Sequence, residues 1–294
     1  MKKKRSLFVR ILRWTGMLIG LIFIVCYLFF RFGMSMNKSD EDIAAVFSKT
    51  QSPQYLNATV GEHTIHYAVK GNAKGPLVVL AHGSPGSWDS WLIYFQDTSL
   101  TNHVQLLAYD RPGFNKSTPY EPEISLERQA AILGPVLDTL STGRPVIVVG
   151  HSYGGPVAVE MACRFPSKVK AALILAGSIS PELEKPYFSF QSWFGKPYLR
   201  ALLPPPMDVS NREILPLKDE LLKQAGCWGR INASVCVLQG SADNLVPAGN
   251  EVYAFQMSQG LCGTTLLPGV DHFFIWSQKD IVVRSIFDLI QSLN

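Results

Sequence analysis

The stretch PVIVVGHSYGGPVAVEMA, residues 145–162, constrains the fold more than any other part of the chain. Its first half is a continuous apolar run, as a strand buried on both faces should read. Its second half carries apolar positions at helical spacing, and no loop separates the two. A strand that turns at once into a helix crowds its own backbone, so the positions two before and two after the corner must be small. Gly150 and Gly154 meet that demand around Ser152. The corner lifts one side chain, the serine hydroxyl, above the end of the sheet. Gly155 is expected to let the helix pack tightly on the strand.

The rest of the chain repeats the alternation. YLNATV and HTIHYAVKG predict an antiparallel pair turned at Gly61-Glu62. PLVVLAHG (76–83), VQLLAYD (104–110), KAALILAGS (170–178), SVCVLQGSAD (234–243) and TTLLPGVDH (264–272) read as further strands. Helical patterns lie over 87–100, with Ser87 able to cap it, and over 124–142, 155–165, 249–259 and 279–293. Apolar strands alternating with helices predict an α/β fold with a mostly parallel sheet and helices on both faces. Residues 181–232 break the alternation. They are rich in aromatics and proline, with a charged helical stretch at 213–225, and an insertion of this kind is expected to form a cap or lid.

The N-terminus is a separate problem. Residues 1–36 hold seven basic residues and no acid, which leaves 20 basic against 23 acidic residues in the remainder. The body is therefore mildly acidic and offers no nucleic-acid footprint. WTGMLIGLIFIVCYLFF, residues 14–30, is uncharged over 17 residues, near the lower limit for a spanning helix. Six basic residues precede it and Asp40, Glu41 and Asp42 follow, a bias that predicts a cytoplasmic N-terminus and an extracytoplasmic body. No small-residue cleavage site follows closely, so an uncleaved single-pass anchor is expected; a cleaved signal peptide, releasing a secreted or periplasmic body, is the alternative. The expected division is an anchor at 1–36, a polar linker with one short helix at 37–54, and a body at 55–294. The five cysteines lack C-x-x-C spacing, which argues against a zinc site. They are expected to be ordinary buried thiols, with Cys227–Cys262 one pairing open to an extracytoplasmic body.

GHSYG (150–154) fits Gly-x-Ser-x-Gly. A serine hydroxyl is a weak nucleophile, and it needs a base within hydrogen-bond reach and a carboxylate to orient that base. Of the six histidines, His272 alone follows both the serine and the penultimate strand, and it sits at the end of the last one. It is the expected base. Asp243, ending VCVLQGSAD, is the expected acid; Asp271 adjoins the histidine and has no strand end of its own. Asp110 precedes the serine and is expected to anchor the turn RPGFNKS. Acyl transfer also needs donors for a tetrahedral oxyanion. The backbone N–H groups of Tyr153 and of Ser84, in the turn HGSPGS, are the candidates; Pro85 has none to give. His82 is expected to tie that turn to neighbouring backbone.

These blocks, HGSPGS (82–87), DRPGFNKS (110–117), GHSYGG (150–155), GSADNLVP (240–247) and GVDHF (269–273), come in the order found in the α/β-hydrolase fold superfamily, which the chain resembles over residues 55–294. The resemblance implies an eight-stranded, mostly parallel sheet, a nucleophile elbow at Ser152, a cap at 181–232, a Ser152–Asp243–His272 triad and an oxyanion hole from Ser84 and Tyr153. The first two blocks also resemble epoxide hydrolases and haloalkane dehalogenases, and the branch is epoxide hydrolase- and haloperoxidase-like. Those two relatives use an elbow aspartate. An alkyl–serine ether would not hydrolyse, so Ser152 points instead to esters, thioesters, amides or, as in some relatives, carbon–carbon bonds next to a ketone.

The expected protein is a membrane-anchored serine esterase, lipase-like, acting on a small apolar acyl or aryl substrate. Nothing in the sequence implies a metal or an organic cofactor, and the partners expected are that substrate and membrane lipid. A catalytically silent binding protein using the lid pocket is the alternative from another class.

Overall fold

The structure, a computed structural model, describes residues 2–33, 37–185, 191–258 and 263–293. Eight strands form one sheet: β1 (Gln54–Val60), β2 (His63–Gly71), β3 (Leu77–Ala81), β4 (Gln105–Tyr109), β5 (Val146–His151), β6 (Val169–Leu175), β7 (Ser234–Gly240) and β8 (Gly263–Leu267). Their order is β1-β2-β4-β3-β5-β6-β7-β8. β2 runs antiparallel to β1 and β4, and every other pair is parallel. All eight strands fall within the strand segments read from the sequence or within one residue of them.

Successive strand residues point to opposite faces, so a two-sided sheet needs apolar residues throughout. Leu77, Val79 and Val148 enter one core layer, and Val78, Leu80 and Val149 the other. The helices that matter below are α1 (Lys2–Leu28), α2 (Leu126–Ile132), α3 (Gly154–Arg164), α4 (Pro205–Ile214), α5 (Leu217–Gln224) and α6 (Lys279–Gln291). α2, α3 and α5 cover the first face; α6 covers the second with Val282, Ile286 and Leu289. Ser125 caps α2 by accepting from the Arg128 N–H.

Three expectations about local structure change. Residues 87–100 are not one helix: a 3₁₀ turn (Trp88–Trp91) and two single-turn helices (Leu92–Phe95 and Thr98–Thr101) replace it. Ser87 does not cap it, because its hydroxyl donates to Asp89 and Asn37. The 124–142 helix is broken at Gly134-Pro135, where proline cannot supply an N–H to the ladder. The stretch 37–54 contains the expected short helix, Asp40–Val46, closed by a capping box between Ser39 and Asp42. That stretch is nonetheless packed, since Ile43 and Phe47 are buried in the second core layer.

The cysteines also differ from expectation. Cys163, on α3, is bonded to Cys227, with Cα atoms 5.7 Å apart. The bridge ties the helix behind the elbow to the end of the 181–232 insertion, a pairing that spacing alone could not reveal. Cys26 and Cys236 are free thiols, and Cys262 lies outside the described residues. Glu160 adjoins the bridge, but both sulfurs are consumed by it, so no thiolate remains there for a metal.

α1 is exposed along its apolar length. Phe8–Leu28 spans 21 residues at mean hydropathy 2.0 with none of it buried, enough by length and composition to cross a membrane. Its body-side end touches the insertion: Tyr27 Oη donates to the Ala201 carbonyl at 2.5 Å, and Arg31 donates to the Leu203 carbonyl.

Candidate active site

The corner between β5 and α3 has the geometry its glycines suggest. Ser152 has φ of 54°, a left-handed conformation that costs a side-chain-bearing residue roughly 1–3 kcal/mol. A Cβ at Gly150 would lie 2.0 Å from the Gly154 carbonyl oxygen, and one at Gly154 would lie 2.2 Å from that of Ala81. Neither position accepts any other residue. At Gly155 a Cβ would meet Gly177 Cα at 2.7 Å, so this glycine admits the chain leaving β6 rather than β5 itself. The strained backbone is held by the Ser152 N–H donating to Leu175 O at 3.0 Å and by Gly155 N donating to Ser152 O at 2.9 Å.

Asp243 and His272 meet across 29 residues: His272 Nδ1 and Asp243 Oδ2 are 2.7 Å apart, both side chains being nearly inaccessible. A carboxylate oxygen only accepts, so Nδ1 carries a proton, and in the neutral tautomer this leaves Nε2 with its lone pair. Asp243 is itself held. Oδ1 accepts from Leu245 N at 2.9 Å and Val246 N at 2.8 Å, and Oδ2 from Gln239 Nε2 at 3.2 Å. Ser152 and His272 line one cavity of about 770 Å³ together with Gly83, Ser84 and His151. Asp271 instead accepts from its neighbour Phe273 N, out of reach of the imidazole's proton.

Ser84 lines this cavity, and a Cβ on its neighbour Gly83 would come 3.1 Å from Ser152 Cβ. The turn that carries Ser84 thus lies directly against the serine. Tyr153 follows the serine with its ring buried beneath the site. Asp110 accepts from Trp88 N, Asn115 Nδ2 and Lys116 N, and pairs with His66 Nδ1 at 2.8 Å, which makes it the anchor of its turn.

A family model described as alpha/beta hydrolase fold matches residues 76–208, the segment from β3 through the elbow into the insertion. Solved structures match over far more of the chain. A serine hydrolase from the bacterium Cycloclasticus zankles covers 81% of this chain and 98% of its own at TM-score 0.66 and 17% identity. An enol-lactonase from Burkholderia xenovorans LB400 covers 80% and 100% at TM-score 0.63 and 16% identity. This chain has the α/β-hydrolase fold. A structure titled as a bacterial membrane phospholipase A covers 96% of the chain and 98% of its own at TM-score 0.62 and 17% identity. Among curated sequences, the 2-hydroxy-6-oxo-2,4-heptadienoate hydrolase of Pseudomonas putida is 32% identical over 137 residues, 44% of this chain and 48% of that one. The bifunctional epoxide hydrolase 2 of Sus scrofa is 32% identical over 146 residues, 45% of this chain and 25% of that one. The chain thus spans less than half the length of these curated relatives.

Several residues around this cavity escape a sequence reading. His151 is buried, and burial together with the neighbouring His272 pushes its pKa down to about 3, so it is neutral. Its Nε2 donates to the His272 carbonyl at 3.1 Å and fixes the main chain that carries the imidazole. Asn37, Lys38 and Asp42 form a wall of the cavity, although they belong to the stretch expected to be a linker. By contrast, no described residue of 181–232 lines the cavity. Trp193 and Tyr198 of that insertion are 63% and 69% exposed, and Tyr187, Phe188 and Phe190 lie outside the described residues. The apolar lining comes instead from Leu245, Phe273 and Trp276, the last two stacked at 5.7 Å.

Proposed function

We propose that this chain is a membrane-anchored serine hydrolase that cleaves carboxylic esters bearing an apolar acyl or aryl group. One observation carries the reading: a strained serine and an imidazole aligned by a buried carboxylate face the same cavity. His272 Nε2 takes the proton as Ser152 Oγ attacks the acyl carbon. The Asp243 carboxylate stabilises the imidazolium that forms. The N–H groups of Ser84 and Tyr153 receive the oxyanion. The proton then passes to the leaving alcohol. Water, activated by the same imidazole, cleaves the acyl-enzyme and restores the serine.

The substrate class follows from the lining. Leu245, Phe273 and Trp276 suit an apolar acyl or aryl group, and the three are partly exposed at the rim. The cavity wall at Asn37 and Lys38 lies a few residues beyond the end of α1, so an anchor spanning the bilayer would hold the mouth near lipid. The Cys163–Cys227 bridge supports an oxidising, extracytoplasmic setting for the body. The reading is tested with p-nitrophenyl esters of graded acyl length and a fluorophosphonate probe. The parent chain is expected to hydrolyse the apolar esters and to label at one serine. The Ser152→Ala variant is expected to do neither, and parent-rate hydrolysis by it would remove the assignment.

A further inference from the structure

Arg111 is fully buried beneath the cavity, and every one of its five guanidinium N–H groups has an acceptor. Nη1 and Nη2 donate to Glu213 Oε2 and Oε1 at 2.8 and 2.6 Å. Nη1 also donates to Gln129 Oε1 at 3.1 Å. Nε donates to the His82 carbonyl at 3.0 Å and Nη2 to the Gly83 carbonyl at 3.1 Å. The guanidinium lies 4.5 Å from the centre of the Tyr153 ring. Arg111 therefore touches both residues whose N–H groups would receive the oxyanion, or their immediate neighbour in the chain.

The consequence for Ser84 follows from peptide geometry. The Gly83–Ser84 bond is trans, and a planar trans peptide directs its N–H opposite to its C=O. Whatever holds the Gly83 oxygen therefore aims the Ser84 N–H. Two donors hold it. One is Arg111. The other is His82, whose Nε2 accepts the Arg111 backbone N–H at 3.0 Å, so that its Nδ1 carries the proton and donates to Gly83 O at 2.7 Å. With the carbonyl turned into the protein, the Ser84 N–H is directed to the cavity side of the turn.

Glu213 belongs to α4, in the 181–232 insertion. One turn earlier on the same helix face, Ser210 Oγ accepts from Ser84 Oγ at 2.8 Å. The insertion thus grips the Ser84 turn twice, once directly and once through Arg111. We propose that the Arg111–Glu213 ion pair is a positioning device for the oxyanion donors, by which the insertion sets the reactivity of Ser152. The proposal rests on the serine-hydrolase reading. Arg111 and Glu213 do not meet substrate in it, and they are positioning residues.

The test uses the full-length chain in detergent, with active sites counted by fluorophosphonate titration. Glu213→Gln keeps the shape of the side chain and removes its charge. It is expected to lower kcat per titrated site by about 10- to 100-fold, with KM within about twofold of the parent. Affinity for a trifluoromethyl ketone, to whose carbonyl carbon Ser152 Oγ adds to give a tetrahedral hemiketal oxyanion, should fall in parallel, whereas affinity for the product acid should not. Because Glu213→Gln leaves Arg111 buried without a counter-ion, a second variant, Arg111→Met with Glu213→Leu, removes both charges; apolar replacement of a buried pair commonly preserves folding. It is expected to keep a cooperative thermal transition and to show the same loss of kcat. Parent kcat per titrated site in a folded variant of either kind overturns the proposal, because a purely structural pair would change only the number of active sites. A parent chain whose esterase activity survives Ser152→Ala sinks the serine-hydrolase reading itself, and this inference with it.

Discussion

A carboxylate that accepts two main-chain N–H groups cannot swing, and Asp243 is such a carboxylate. It determines the tautomer of His272, so exchanging its acceptor oxygen for an amide should present the wrong ring nitrogen to Ser152. Asp243→Asn is expected to leave the thermal transition nearly unchanged and to lower kcat by roughly 10³-fold or more, read with a p-nitrophenyl ester. A second residue makes a pH prediction. Burial raises the pKa of Glu160 above its ordinary value, against the opposing hydrogen bond from Gln224 Nε2. The folded state therefore binds this proton more tightly than the unfolded state. The penalty on Glu160 is absent at pH 4 and grows as pH rises through the raised value. Glu160→Gln should raise the melting temperature at pH 8 and leave it unchanged at pH 4. Residues of these two kinds were not equally legible in the sequence. Asp243 and His272 could be read because each follows closely on a strand, three residues after β7 and five after β8, and a strand end limits where a nearby side chain can be. Arg111 and Glu213 could not, since their pairing spans 102 positions and depends on how an irregular insertion folds back. His151 was visible only as the unassigned position between Gly150 and Ser152.

At the scale of elements, β3, β5 and β6 were legible because two-sided burial leaves a nearly unbroken apolar run, whereas the exposed edge strands β1 and β8 carry no such signature. Helical segments were less so where a local rule overrode periodicity, as at Gly134-Pro135 and at the Trp88 turn, whose backbone N–H donates to Asp110 instead of extending a helix. Composition sets residues 181–232 apart from the alternating pattern but does not place them relative to the cavity, because aromatic content says that a surface is apolar without saying what covers it. The bridge from α3 to the insertion closes a loop of 64 residues. Removing it should cost about 2–5 kcal/mol of stability by restoring entropy to the unfolded chain. The paired variant Cys163→Ser with Cys227→Ser is expected to melt several degrees lower by calorimetry. Its kcat per titrated site should stay close to that of the parent, because Glu213 lies on α4 and is separated from Cys227 by the whole of α5.

At the scale of the molecule, the exposed helix and the body are joined by a stretch that packs rather than dangles. Ile43 and Phe47 sink into the core, Lys116 pairs with Asp40, and the Lys38 N–H donates to Asp89. Charge bias and hydropathy made the helix legible, but the polar composition of 37–54 concealed that two of its residues are core residues. With α1 spanning a bilayer, alkaline carbonate should leave the full-length chain in the membrane pellet, while a chain cleaved after the apolar run would pass to the supernatant. Ile43→Ala with Phe47→Ala, which loosens this attachment without burying a charge, is expected to spare hydrolysis of a short water-soluble ester and to slow hydrolysis of an ester dissolved in vesicles. Equal effects on the two substrates would count against a mouth held at the lipid surface. With α1 as the proposed anchor, a body held both there and at its first buried residues would have little freedom to tumble about its stem. Its encounters with substrate would then take place in a plane. Turnover should scale with the number of ester molecules per unit area of membrane and with how fast they diffuse sideways, and diluting the suspension at fixed surface composition should leave the rate per enzyme unchanged.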